Sequence, residues 1–349
     1  MPNPILATKL FVPQPRSGLV ARPDLLARLD AGLGRRLMLL SAPAGTGKTT
    51  LLSDWLARLL VATTPAEGGV GPDQRVGWLS LDAGDNDLPR FLAYLTAALQ
   101  LGPGLRALLN AHQLPAAESF LTLLINELAS LPGRTILVLD DYHAITSQAV
   151  HDALAFILDH QPASFHLVIA TRIDPPLPLA RLRARDQISE LRAADLRFSS
   201  AQAADFLQRL MGVPLSEAQA TSLNDRIEGW AAGLQLAGLS LRDRTPHGLD
   251  RFIAGFSGRQ HFVFDYLADE VFARQSADVQ AFLQRTAILE RLCAPLADAL
   301  VAPQHEGQAD GEAARRPSQA ILEEMEHANL FLVPLDDGQQ WYRYHHLFR

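Results

Sequence analysis

The stretch Ala42-Pro43-Ala44-Gly45-Thr46-Gly47-Lys48-Thr49 has the residue types and spacing of a phosphate-binding loop, with alanine where the pattern usually opens on glycine. Glycines let the backbone N–H groups of residues 45 to 49 wrap an oligophosphate, and the start of a following helix adds positive potential. Ala44, Gly45, Thr46, Gly47, Lys48, Thr49 and Thr50 are therefore the expected nucleotide-binding set, with Lys48 on the outer phosphates and Thr49 on a magnesium ion. The chain has only two lysines, Lys9 and Lys48, against 29 arginines, so a lysine at this position stands out from the composition.

A magnesium nucleotide also calls for a carboxylate at the end of a neighbouring strand. Ile136-Leu137-Val138-Leu139-Asp140-Asp141 supplies two. Asp140 is expected to complete the Mg²⁺ shell with Thr49, and Asp141 to orient or polarise the attacking water. The next apolar run, Leu167 to Ala170, leads into Thr171-Arg172, at the edge where open α/β sheets bind ligands, so Arg172 is placed to sense a γ-phosphate. The adjacent pair His345-His346 does not read as a metal site, because neighbours on a strand or helix point different ways and no third ligand is evident.

Apolar runs alternating with helix-period segments must carry these residues. Strands are expected at Leu37 to Leu40, Val76 to Leu81, Ile136 to Leu139, Leu167 to Ala170 and Ile188 to Leu191. Helices are expected at Thr49 to Leu60, Leu88 to Leu99, Glu118 to Leu131 and Gln148 to His160. This is the pattern of a parallel sheet covered by helices. From Ser199 helices follow one another (Ala201 to Met211, Glu217 to Ile227, Ala231 to Leu241), then Phe262 to Phe272, Ala277 to Leu289 and Ser318 to Ala328. Strands Phe331 to Leu335 and Trp341 to Tyr344 flank Asp336-Asp337-Gly338, a hairpin signal. Helices closed by a hairpin suggest a winged helix. Thr63 to Gln74 and the insertion between Pro303 and Pro317 read as loops.

At 349 residues, 48% apolar and 20% charged, the chain has the composition of a multi-domain globular protein. A single cysteine, Cys293, makes no intrachain disulfide and fits a reducing compartment, and no apolar run reaches the length of a membrane span; the cytoplasm is the expected location, with no membrane partner. Residues 1 to 199 carry 18 basic and 18 acidic side chains, and residues 200 to 349 carry 13 and 20. The net charge of −7 thus lies in the second half, the wrong sign for a surface that must neutralise DNA phosphates.

With these motifs in place, the chain resembles the ATPase core of the MalT-type, LuxR-family transcription regulators, within the signal-transducing ATPases. The resemblance rests on "ILATKLFVPQPRSGLVARPDLLARL", "WLSLDAGDND", "LVLDDYH", "VIATRIDPPLPLARLRAR", "GWAAGLQLAGLSL" and "YRYHHLFR" besides the phosphate loop. It implies an α/β fold in three parts: a P-loop nucleotide-binding domain over 1–198, a helical lid over 199–248 and a winged helix over 249–349. It also implies ATP and ADP as ligands with Mg²⁺, slow hydrolysis that resets a switch, and self-association in the ATP state. By the same resemblance Val20 and Arg22 would lie by the adenine and His345 would contact the ADP β-phosphate. Family members continue into helix repeats and a helix-turn-helix, so the chain reads as a fragment or short form, with DNA bound only through a domain outside it. The alternatives are a self-contained P-loop ATPase or kinase, and an oligomerising scaffold without DNA output.

Overall fold

Strands that are apolar on both faces have none to give to water, and the strand runs of the first half pair in parallel beneath helices, the run at Ile188 to Leu191, which Ser189 and Glu190 interrupt, taking an edge. The computed structural model describes residues 5–15, 19–62, 74–109, 116–212, 215–241, 246–301, 316–330, 332–336, 338 and 340–348. Two units result: Met1–Ala42 with Lys48–Asp195, and Pro43–Gly47 with Leu196–Arg349.

In the first unit the order is α1 (Pro23–Gly32), β1 (Leu37–Ser41), α2 (Lys48–Ala62), β2 (Gln74–Ser80), α3 (Leu88–Ala98), α4 (Pro103–Leu109), α5 (Ala117–Ser130), β3 (Arg134–Asp140), α6 (Gln148–His160), β4 (Phe165–Thr171), α7 (Leu179–Ala184), β5 (Ile188–Arg192) and α8 (Ala193–Leu196), the last crossing the boundary. The sheet order is β2-β3-β4-β1-β5, all parallel. Leu37, Leu39, Leu137, Leu139, Leu167 and Ile169 join Phe91, Leu95, Phe120, Leu124 and Leu154 in one core. The intervening Met38, Leu40, Val138 and Val168 are buried as well, so the sheet is covered on both faces.

Helix α3 starts at the N-cap Asp87, whose carboxylate accepts the Arg90 N–H at 3.1 Å. Lys9, the lysine without a role in the sequence reading, is buried, with its ammonium on Asp82 at 3.1 Å and on Asp85. That pairing holds the N-terminal turn Ala7–Leu10 on the first unit.

The second unit continues with α9 (Ser200–Met211), α10 (Glu217–Ile227), α11 (Ala231–Leu241), α12 (Pro246–Gly255), α13 (His261–Leu267), α14 (Ala277–Thr286), α15 (Ala294–Val301), α16 (Ser318–His327), β6 (Leu332–Pro334) and β7 (Tyr342–Tyr344). Ser199 with Gln202 and Ser216 with Gln219 form capping boxes that fix the starts of α9 and α10. Strands β6 and β7 pair antiparallel, and Leu292 bridges to Tyr342.

Six helices were not expected from the sequence: α1, α4, α7, α8, α12 and α15. The short α7 and α8 offer too few residues for a helical period, and the other four carry proline in the first turn, at Pro23, Pro103, Pro246 and Pro295. Proline breaks a helix interior but is tolerated at its start, where its missing N–H has no intrahelical partner to lose. The single helix expected over Phe262 to Phe272 divides into α13 and a π-turn at Ala268–Phe272. The loop at 63–73, most of the 303–317 insertion and Asp337 of the hairpin turn lie outside the described residues. Among the described residues no helix is long and apolar enough to cross a membrane.

Candidate functional site

Strand β1 is wholly buried between β4 and β5, and it delivers the chain at Ser41 to the carboxyl edge of the sheet, where α2 begins only seven residues later at Lys48. Gly45 and Gly47 take the tight turn between them with φ of +70° and +88°, conformations that side-chain-bearing residues seldom adopt. Thr46 closes the loop locally, its hydroxyl donating to the Pro43 carbonyl at 3.0 Å.

Lys48 is buried, and its ammonium donates to the Ala42 carbonyl at 2.7 Å. Burial, together with the nearby Arg172 guanidinium, pushes its pKa down to about 8. Thr49 reaches across to the end of β3, its hydroxyl donating to Asp140 Oδ2 at 2.8 Å, while Asp140 Oδ1 accepts the Asp141 N–H at 3.0 Å. Burial and the neighbouring Asp141 carboxylate raise the Asp140 pKa to about 6. Asp141 itself sits in the left-handed region, φ +56°, which turns the backbone sharply after the strand and leaves its side chain half exposed.

The sequence-derived set Lys48, Thr49, Asp140, Asp141 and Arg172 thus converges at one edge of the sheet. An acid and a hydroxyl in direct hydrogen bond, beside a buried ammonium, is a donor set suited to magnesium held by one carboxylate and one hydroxyl with nucleotide phosphates completing the shell. Among the described residues no group of three or more His, Cys, Asp or Glu forms an all-protein metal cage.

Val20 and Arg22 lie at the entry to α1. Val20 is buried, and the Arg22 guanidinium donates to the Asp195 carbonyl at 3.0 Å, with burial lowering its pKa. Arg28 binds the Asp195 carboxylate at 2.6 Å, so these residues tie α1 to α8. An arginine-carboxylate cluster that the sequence did not suggest braces the same sheet edge: Arg192 binds Asp174 and Glu190, and Arg183 donates to Glu190 at 2.8 and 3.0 Å.

The loop tip packs as part of the second unit. The Trp230 indole N–H donates to the Ala44 carbonyl at 2.9 Å, and the Ala232 N–H donates to the Gly45 carbonyl at 2.9 Å. The Trp230 ring meets Tyr266 edge-on at 5.4 Å and His345 at 6.3 Å. His345 is buried; its Nδ1 accepts the Leu347 N–H at 3.2 Å, which leaves Nε2 as the protonated nitrogen, 3.1 Å from the Ile227 carbonyl. Burial holds its pKa down to about 4, so the ring is neutral at pH 7.

Next to it Glu228, in the left-handed region at the end of α10, accepts two bonds from the Arg343 guanidinium at 2.7 and 3.0 Å and one from the His346 N–H at 3.2 Å. Burial would raise the Glu228 pKa, but Arg343 and the neighbouring histidines bring it down to about 2. Sequence reasoning found His345 but not Trp230 or Glu228. Their only local signal is Glu228-Gly229-Trp230, a left-handed stop followed by an aromatic, between two helices.

Comparison with known proteins agrees with this reading of the second unit. A family model described as the MalT winged helix domain matches residues 268–349. The chain is 36% identical over 352 residues to the HTH-type transcriptional regulator MalT of Yersinia enterocolitica and 36% identical over 351 residues to that of Cronobacter sakazakii, covering 99% of this chain in both cases. It spans 36% of the length of each of these relatives. Solved structures similar to it include the Aeropyrum pernix Orc1 protein in complex with DNA (TM-score 0.49, 17% identity, 95% of this chain and 90% of that one) and the Thermotoga maritima RuvB Holliday junction branch migration motor (TM-score 0.38, 16% identity, 93% and 92%).

Proposed function

Taking the chain as a member of the MalT-type transcriptional regulators, on sequence similarity along nearly its whole length, we propose that it is their ATP- and ADP-binding switch module. The observation that carries this reading is the Thr49 hydroxyl hydrogen-bonded to Asp140 at the start of α2, one residue from the buried Lys48. A hydroxyl, an acid and an ammonium so placed serve little purpose in a purely structural turn, because burying the two titratable groups opposes their charged forms.

In this reading residues 44 to 50 would cradle the phosphates, and Thr49 with Asp140 would hold Mg²⁺, which would supply neutralisation of phosphate charge. Asp141 would orient the attacking water and Arg172 would sense the γ-phosphate. Val20 and Arg22 would line the adenine, and His345 would meet the β-phosphate by exchanging one of its present backbone partners. Residues 1–198 would act as nucleotide domain, 199–248 as helical lid and 249–349 as winged helix, in the cytoplasm and away from membranes. Hydrolysis would be slow and serve to reset the switch, the ATP state would self-associate, and DNA would be bound through a domain outside this chain. The test is a thermal melt with Mg-ADP and Mg-ATP. Ligand at 100 times its dissociation constant adds about 2.7 kcal/mol to the folded state, and Lys48→Ala removes that gain. Equal shifts in both proteins refute the assignment of the loop.

A further inference from the structure

Residues that hold the carbonyl side of an anion-binding loop decide where its N–H side points, and in this chain two such holders come from a distant segment. Trp230 immediately precedes α11 and is buried; its indole N–H donates to the Ala44 carbonyl, and the Ala232 N–H, in the first turn of α11, donates to the Gly45 carbonyl, both at 2.9 Å. Across a trans peptide the carbonyl of one residue and the N–H of the next point in opposite directions. No cis peptide occurs among the described residues. Holding the Ala44 carbonyl on the indole therefore aims the Gly45 N–H away from it, and holding the Gly45 carbonyl on α11 aims the Thr46 N–H away from that helix. Consecutive N–H groups turned to one side make a concavity for an anion.

The approach is close enough to exclude a side chain at the turn. A Cβ on Gly45 would lie 2.5 Å from the Ala232 Cβ, 2.8 Å from the Tyr266 hydroxyl and 3.0 Å from the indole nitrogen. Tyr266 and His345 meet the Trp230 ring edge-on, which fixes the indole from the winged-helix side. We propose that Trp230, with the Ala232 N–H, is the positioning element that pre-forms the phosphate-binding concavity at Gly45 and Thr46 for the diphosphate group of a nucleotide. The inference rests on the nucleotide reading above and adds to it the residues that shape the site without touching the ligand.

The experiment measures Mg-ADP and inorganic pyrophosphate binding by calorimetry in the parent chain, Trp230→Phe, Ala232→Pro and Lys48→Ala. Phenylalanine keeps the ring packing and loses the donor. Proline in the first turn of α11 keeps the helix, loses the other donor and sets its Cδ against the Gly45 carbonyl, which must turn away. Each of the two is expected to bind ADP and pyrophosphate about tenfold more weakly, and Trp230→Phe to melt without nucleotide within a few degrees of the parent. A second readout needs no ligand: the Trp230 indole proton, identified as the resonance missing in Trp230→Phe among four tryptophans, exchanges slowly with solvent. Parent-like affinity in both variants, or fast exchange of that proton, overturns the proposal. Should Trp230→Phe not fold, Ala232→Pro decides. A parent that binds no better than Lys48→Ala overturns the nucleotide reading and this inference together, whereas a binding parent with equally binding variants overturns this inference alone.

Discussion

Replacing Lys48 with methionine is expected to stabilise the nucleotide-free protein while abolishing its response to nucleotide. Lys48 is 8% exposed and its ammonium donates to the Ala42 carbonyl, and its pKa falls from 10.5 to about 8 because burial, and then Arg172, disfavour the charge. At roughly 1.4 kcal/mol per decade of the ionisation constant, keeping that charge at pH 7 costs the folded state on the order of 3 kcal/mol. Methionine retains the length of the stem and removes this cost, but it strands the Ala42 carbonyl, a loss of about 2 kcal/mol. The balance is a gain of about 1 kcal/mol, or a rise of a few degrees in melting temperature.

With Mg-ADP at 100 times the parent's dissociation constant the order reverses, since the parent gains about 2.7 kcal/mol and the variant nothing. The pH dependence carries the same sign. Between pH 8 and 10.5 the unfolded parent binds more protons at this lysine than the folded one, so nucleotide-free stability at this site rises with pH in the parent and not in Lys48→Met. Differential scanning fluorimetry across this range measures both effects. A nucleotide-free variant that melts well below the parent refutes the burial argument, and equal ADP shifts in the two proteins refute the role of Lys48.

Asp141→Asn should keep ATP affinity, since Lys48, Thr49 and Asp140 remain, but lose hydrolysis; a single-turnover rate equal to the parent's would show that the half-exposed carboxylate has no catalytic part. Gly45→Ala should abolish nucleotide binding and lower stability by about 2 kcal/mol in urea unfolding, because a Cβ meets Ala232 at 2.5 Å and the residue must hold φ at +70°; full binding would show that the loop relaxes freely. Acid should destabilise the second unit in two overlapping steps. Neutral buried His345, depressed to about 4, withdraws its contribution as pH falls from 6.5 toward 4, and ionised Glu228, depressed to about 2, withdraws its own from 4.5 downward. His345→Gln should remove the first step and Glu228→Gln the second, read by urea midpoints against pH. Fluorescence anisotropy at physiological salt with competitor DNA should find no specific DNA site on this chain, as residues 200 to 349 carry 13 basic against 20 acidic side chains.

Much of the first unit was legible because β1, β3 and β4 are built on unbroken apolar runs; β2 and β5, interrupted by polar residues and glycine, still lie with them within two or three residues of their expected bounds. The phosphate loop, Asp140 and Asp141 were legible as linear motifs, and the Thr49–Asp140 bond confirms that the two motifs meet. What the sequence hid has common physical causes. Helices opening on proline drew no assignment, since the same residue also serves turns and only the following packing distinguishes the two. The Lys9 and Asp174 ion-pair clusters and the Glu228–Arg343 pair join residues up to 115 positions apart, with charged side chains that look ordinary on a surface. Trp230 lies 186 positions from its loop partner, and an aromatic before a helix carries no local sign of where its N–H will point.

The strength of these contacts also limits what Trp230 and Ala232 can do to the loop. Their hydrogen bonds to the Ala44 and Gly45 carbonyls each contribute about 1 kcal/mol net. Moving a two-state equilibrium from 1:99 to 99:1 requires about 5.5 kcal/mol. Trp230 and Ala232 can therefore shape the loop and bias it by one or two powers of ten, but they cannot by themselves throw a switch. In the proposed switch the remainder would come from contacts that differ between ADP and ATP, a role the proposal gives to Asp141 and Arg172, which follow the carboxyl ends of β3 and β4. A variant that weakens both nucleotides equally thus belongs to the loop-shaping group, and one that separates ADP from ATP belongs to the discriminating group. On this basis Trp230→Phe should fall in the first and Arg172→Ala in the second.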